Sequence, residues 1–134
     1  MNDEQLEFNL LVQLDDDWIT FWEFMYYTIQ SMGPSTTSEQ TAVVIRSLVE
    51  SGLMTLGALA ANEVGWEEWD VDLDEAMRRI AEGHAGEVGY LTAPDRTALT
   101  ISEVVRACIT EKGERRLAEL EARGFTFEGP SGLV

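Results

Sequence analysis

Two helix-start signals, Thr20-Phe-Trp-Glu23 and Thr37-Ser-Glu-Gln40, each followed by apolar residues at helical spacing, constrain this chain more than any other feature. In such a capping box the threonine hydroxyl accepts from a free backbone N–H of the first turn, and the Glu or Gln side chain reaches back to the threonine N–H. Behind the first box Phe21, Met25, Ile29 and Met32 recur on one face, with Trp22 and Tyr26 widening it. Gly33-Pro34 ends that helix, because proline disfavours helical geometry in the residue before it. Behind the second box Val44, Ile45, Leu48 and Val49 form the buried side, and Gly52 is the expected left-handed stop.

The flanking stretches are read against these two helices. In residues 6–14, Leu6, Leu10, Leu11 and Leu14 share a helical face, although Phe8, Leu10, Val12 and Leu14 also alternate as a strand would. The helix is the preferred reading and the strand stays open. Trp18-Ile19 suits a short strand, while Trp18 and Trp22, four apart with Tyr26 beyond, read as a core stripe. Met54, Leu56 and Ala58 alternate in a second strand. Asp72 caps a helix whose stripe is Leu73, Met77 and Ile80, and Glu75 is expected to complete its box. Residues 83–100, with a Pro94-Asp95 turn, read as loop with short strands; 102–110 read as a strand. Thr110 opens a last helix with Leu117 and Leu120 inside and Gly124 as its stop, and residues 125–134 are expected to be a loose tail. At 134 residues and 45% hydrophobic, the chain can bury the core of a single domain, 1–134, without covalent staples.

The segments "ITEKGERRLAEL" and "LVESGLMTLGAL" resemble the winged-helix (winged helix-turn-helix) superfamily. The first is similar to a wing strand running into the terminal helix, the second to a recognition helix turning into the wing's first strand. The resemblance implies an α+β, winged-helix-like domain whose wing, residues 57–104, is expanded and contains an extra helix. The stretch from Ser51 to Gly83 is also similar to small actinobacterial proteins, a kinship that implies no activity. Winged-helix domains most often bind DNA, so the resemblance also implies a DNA-binding transcription regulator acting as a homodimer through Arg46, Arg106, Lys112, Arg115 and Arg116.

Charge argues against that use. The chain carries 25 Asp and Glu against nine Lys and Arg, a formal net charge of −16. Eight acids precede the first base, Arg46, and seven more lie between Glu63 and Glu75 with no base among them. A domain of this sign repels nucleic acid and anionic lipid and attracts cationic partners. No apolar run approaches the length needed to cross a bilayer, and the first twenty residues hold acids but no base. A soluble, cytoplasmic protein is therefore expected, with no membrane partner.

Catalytic and metal chemistry find little footing. His84 is the only histidine and Cys108 the only cysteine, lying among Val105, Ala107 and Ile109 as a small core residue would. Asp70, Asp72 and Asp74 imitate the start of a calcium loop, but Glu75 stands where its glycine belongs and Ala81 where its bidentate acid belongs. No enzyme activity, metal or cofactor is expected. The expected function is non-enzymatic binding of a basic protein, in the manner of an immunity protein, antitoxin or DNA-mimicking inhibitor. Its contact surface would comprise Asp15, Asp16, Asp17, Glu67, Glu68, Asp70 and Asp74, anchored by Trp66 or Trp69.

Overall fold

A computed structural model describes residues 3–128. Its elements follow in the order α1 (Glu4–Asp16), β1 (Ile19–Thr20), α2 (Phe21–Met32), α3 (Ser38–Glu50), β2 (Met54–Leu59), β3 (Trp66–Glu68), α4 (Leu73–Glu82), α5 (Arg96–Ile101), β4 (Arg106–Ile109) and α6 (Glu111–Ala122). The fold is α+β. All strand pairs are antiparallel, in the order β1-β4-β2-β3.

Both capping boxes form. Thr20 accepts from Glu23 N–H while Glu23 accepts from Thr20 N–H, and Thr37 and Gln40 do the same. One face of the sheet, carrying Ile19, Met54, Leu56 and Ala107, is buried against Leu6, Leu10 and Leu11 of α1, Phe21, Phe24 and Met25 of α2, Ile45 of α3 and Leu120 of α6. Residues 6–14 are helical. Their double periodicity has a physical cause: α1 touches α2, α6 and β4, so Phe8 is buried as well as the leucine face.

Several expectations need correction. Trp18 is not on a helical stripe with Trp22, because α2 begins only at Phe21, beyond the Thr20 cap. Residues 83–100 hold a helix, not strands alone: Asp95 accepts from Ala98 N–H and starts α5. The segment expected to be a wing with one added helix contains β3, α4 and α5. Glu75 does not turn back to its cap; its carboxylate takes Arg78 and Arg79, whose charge outcompetes a backbone N–H. The expected loose tail is pinned at its start. The Phe125 ring lies tilted against Phe8 and Phe127 against Tyr27, and Asn9 Oδ1 accepts from Glu128 N–H. Residues 129–134 of that tail lie outside the described residues. No described helix is long and apolar enough to cross a membrane.

Candidate functional site

Side chains alternate across a strand, so burying Met54, Leu56, Ala107 and Ile19 turns their neighbours to the opposite face of the sheet. By register that face carries Thr55, Gly57 and Leu59 of β2, Arg106 and Cys108 of β4, Trp66 and Glu68 of β3, and Trp18 just before β1. Trp18 and Trp66 stack across it, with ring centroids 6.2 Å apart and planes at 17°. The Trp66 indole N–H donates to the Arg106 carbonyl at 2.8 Å. Gly57 permits this arrangement: a β-carbon there would stand 2.8 Å from Trp66 Cζ2 and 2.2 Å from the Glu67 carbonyl oxygen.

Arg106 braces the pair. Its guanidinium is held by both Glu103 oxygens, at 2.7 and 2.9 Å, and donates to the Trp18 carbonyl at 3.3 Å. The Glu103 hydrogen bonds raise its pKa against the opposing effect of burial, with the charges of Glu103, Glu23 and Asp17 adding. Beside it, burial pushes the Cys108 thiol up, only partly offset by a hydrogen bond with Trp18. That is the reverse of the depression that makes a reactive thiolate.

The predicted acids divide into two sets. Asp15, Asp16 and Asp17 are exposed at the end of α1, where Asp17 accepts the Trp18 N–H at 2.7 Å. Glu67 and Glu68 follow Trp66 on β3, with Asp70 just beyond. Stacking of Trp18 on Trp66 therefore links the two acidic stretches, and no base lies within 4.0 Å of any of these six carboxylates among the described residues. Asp74 belongs elsewhere. It opens α4 and binds Arg46 of α3 at 2.6 Å.

The two predicted anchors part company. Trp66 is half-buried in the stack, whereas Trp69 packs against the core, with the Arg79 guanidinium 5.3 Å from its ring and His84 edge-on at 5.8 Å. His84 lies in a tight turn, exchanging backbone hydrogen bonds with Glu87. Between that turn and the β2–β3 hairpin is an open groove of about 320 Å³, with Trp69 and Arg79 at its back and Leu59, Glu67, Asp70 and Val71 around it.

Most of the basic residues already serve carboxylates of the chain. Arg46 is engaged by Glu50 and Asp74, Arg106 by Glu103, and Arg116 by Glu4, Glu7 and Glu119. Lys112 and Arg115 are exposed at the start of α6 and make no ion pair among the described residues. Sequence reasoning passed over Trp18, Glu103 and Gly57 as parts of this face. The Thr20 cap was the usable signal for Trp18, since it ends any helical stripe before residue 18. Gly57 offered none, because its close contact is with β3, itself unrecognised. Comparison with protein-family models, curated proteins and solved structures finds no match for this chain.

Proposed function

We infer that this chain is a non-enzymatic, cytoplasmic binding protein that engages a basic protein partner, with its carboxylates imitating the phosphate array of a nucleic acid. One observation carries the reading: Asp15, Asp16, Asp17, Glu67, Glu68 and Asp70 make no ion pair among the described residues and lie in the two acidic stretches that the Trp18–Trp66 stack joins. A half-buried aromatic pair between two acidic stretches suits an interface with an apolar centre and a cationic rim on the partner. Association is then fast, steered and weakened by salt. An inhibitor, antitoxin or immunity role fits that chemistry.

The winged-helix scaffold belongs to this proposal. The order β1-β4-β2 matches a short first strand beside a two-stranded wing, with β3 added at the outer edge. A dimeric DNA-binding regulator on that scaffold needs basic groups on α3 to reach phosphates. Arg46, the only base of α3, already serves Glu50 and Asp74. This favours the protein-binding reading over the regulator.

The test is capture of basic proteins from host lysate by three forms of the full chain, eluted with a salt gradient. The forms are the wild type, the triple reversal Glu67→Lys/Glu68→Lys/Asp70→Lys, and a control of equal charge, Glu111→Lys/Glu114→Lys/Glu121→Lys on α6. Loss of a specific partner in the first variant alone supports the surface. Equal loss in both would leave only bulk charge, and unchanged capture by the first would remove the proposed surface.

A further inference from the structure

β3 ends the sheet, and one side of its main chain faces outward. Ala60 N–H donates to the Gly65 carbonyl at 3.0 Å and Trp69 N–H to the Leu56 carbonyl at 2.9 Å, so residues 65 and 69 turn their peptide groups toward β2. Pairing groups alternate along an antiparallel strand, and Trp66 and Glu68 therefore direct theirs away from it. The Trp66 carbonyl agrees: it accepts from the Asn62 side chain at 3.0 Å, a group of the hairpin loop. The N–H and carbonyl of Glu68 point outward in the same sense, with Asp70 following.

Exposed edges invite another strand, and proteins commonly guard them with lysine, proline, a bulge or a covering element. Here the edge bears Glu67, Glu68 and Asp70, with no base within 4.0 Å among the described residues. Like charges facing one another across a strand pair are destabilising, so this edge resists a second copy of itself. A strand carrying the opposite charge meets no such barrier. The groove beside the edge offers Leu59 and Val71, both exposed, to the partner's apolar side chains. Arg79 at its back is neutralised by Glu75 at 3.1 Å.

We propose that β3 accepts an added strand from an extended segment rich in Lys or Arg, paired through the outward peptide groups of Glu68, with the basic side chains on the Glu68 face of the sheet and the alternate apolar ones toward the groove beside Glu67. Main-chain hydrogen bonds supply register and the carboxylates select the charge. The inference rests on the acidic-binding reading and adds the mode of engagement.

Two synthetic peptides of equal length and charge test it against the isotope-labelled full chain at low salt: one alternates Lys and Val, the other replaces the valines with proline and cannot pair as a strand. Pairing predicts that the first peptide shifts the Trp66, Glu67 and Glu68 amides and slows exchange at Glu68. It also predicts binding about tenfold tighter than for the second, the size expected from one or two net backbone hydrogen bonds. Equal binding of both peptides, with shifts at the acids but no protection at Glu68, overturns strand addition and leaves the acidic surface standing. Binding of neither overturns both.

Discussion

Gly57→Ala is the sharpest probe of how the exposed face is built. An alanine β-carbon would lie 2.2 Å from the Glu67 carbonyl oxygen, 2.9 Å from its carbon and 2.8 Å from Trp66 Cζ2. The indole could pivot, but the carbonyl belongs to the strand paired with Ala58 and cannot retreat without opening β3 from β2. Overpacking of this kind costs about 1–3 kcal/mol, and each ladder hydrogen bond lost adds about 1 kcal/mol. Against this, replacing glycine narrows the unfolded ensemble and favours the fold by about 0.4–1 kcal/mol. The steric terms win, with a net loss of about 2 kcal/mol. For a domain of this size that lowers the melting temperature by about 6–10 °C. Urea titration gives the free energy, and near-ultraviolet circular dichroism reports whether Trp18 and Trp66 still stack. A Gly57→Ala protein of wild-type or greater stability, with the tryptophan signal intact, would refute the close packing of Trp66 on β2.

Gly113→Ala tests a similar competition inside a helix: alanine gains about 1 kcal/mol of helix propensity, but its β-carbon would meet the Leu53 carbonyl oxygen at 2.2 Å, so urea titration should find the variant less stable. Arg116→Gln removes the fork that joins Glu4 and Glu7 of α1 to α6. It should cost about 1–2 kcal/mol, whereas Arg115→Gln, exposed and without an ion pair among the described residues, should stay within about 0.5 kcal/mol. Acid should weaken the fold in a defined window. Hydrogen bonds from Arg78 hold Glu75 down at about 2, and those from Arg123 lower Glu4, from an ordinary value of 4.5. A depressed folded pKa gives stability that is present above 4.5 and lost as pH falls toward 2, so Glu75→Gln should flatten the fall in urea midpoint across that window. Asp16→Asn removes a negative charge from the C-terminal turn of α1 and should raise stability by about 0.5 kcal/mol in thermal melts while weakening capture of the proposed basic partner.

Legibility in the sequence followed the range of the interactions involved. The starts of α2 and α3 lie in four residues each, Thr20 to Glu23 and Thr37 to Gln40, and both boxes form. Gly124 likewise follows α6 with a φ of 97°, the left-handed conformation expected of its stop. The strand β3 has no such local mark: three residues, two of them glutamates, become a strand only because β2 offers an edge. Asp95 was legible as a turn residue, yet the same short side chain caps α5; the choice depends on burial of Leu99 beyond it. The acidic surface was legible as composition. Its geometry was not, because the contact joining Asp17 to Glu67 is a stack between Trp18 and Trp66, distant in sequence.

The placement of the bases explains why an excess of acid remains where it does. Arg46 ties α3 to α4, Arg116 and Arg123 tie α6 to α1, Arg78 and Arg79 grip Glu75, and Arg106 grips Glu103. Six of the eight guanidinium forks already hold a carboxylate of the same chain, Arg96 and Arg115 being the exceptions among the described residues, so cohesion of the fold and recognition of nucleic acid compete for most of these groups. Among the acids beyond their reach, four sit in unfavourable places. Asp15 and Asp16 stand in the last turn of α1, where the helix dipole is negative and no base is present. Glu67 and Glu68 stand side by side on an edge strand, a conformation in which glutamate is a poor residue. Local rules broken together on either side of one aromatic stack are expected where a surface is kept for a partner and not for the fold. A positively charged partner of the proposed kind would relieve both conflicts on binding, which links the local charge placement to the proposed use.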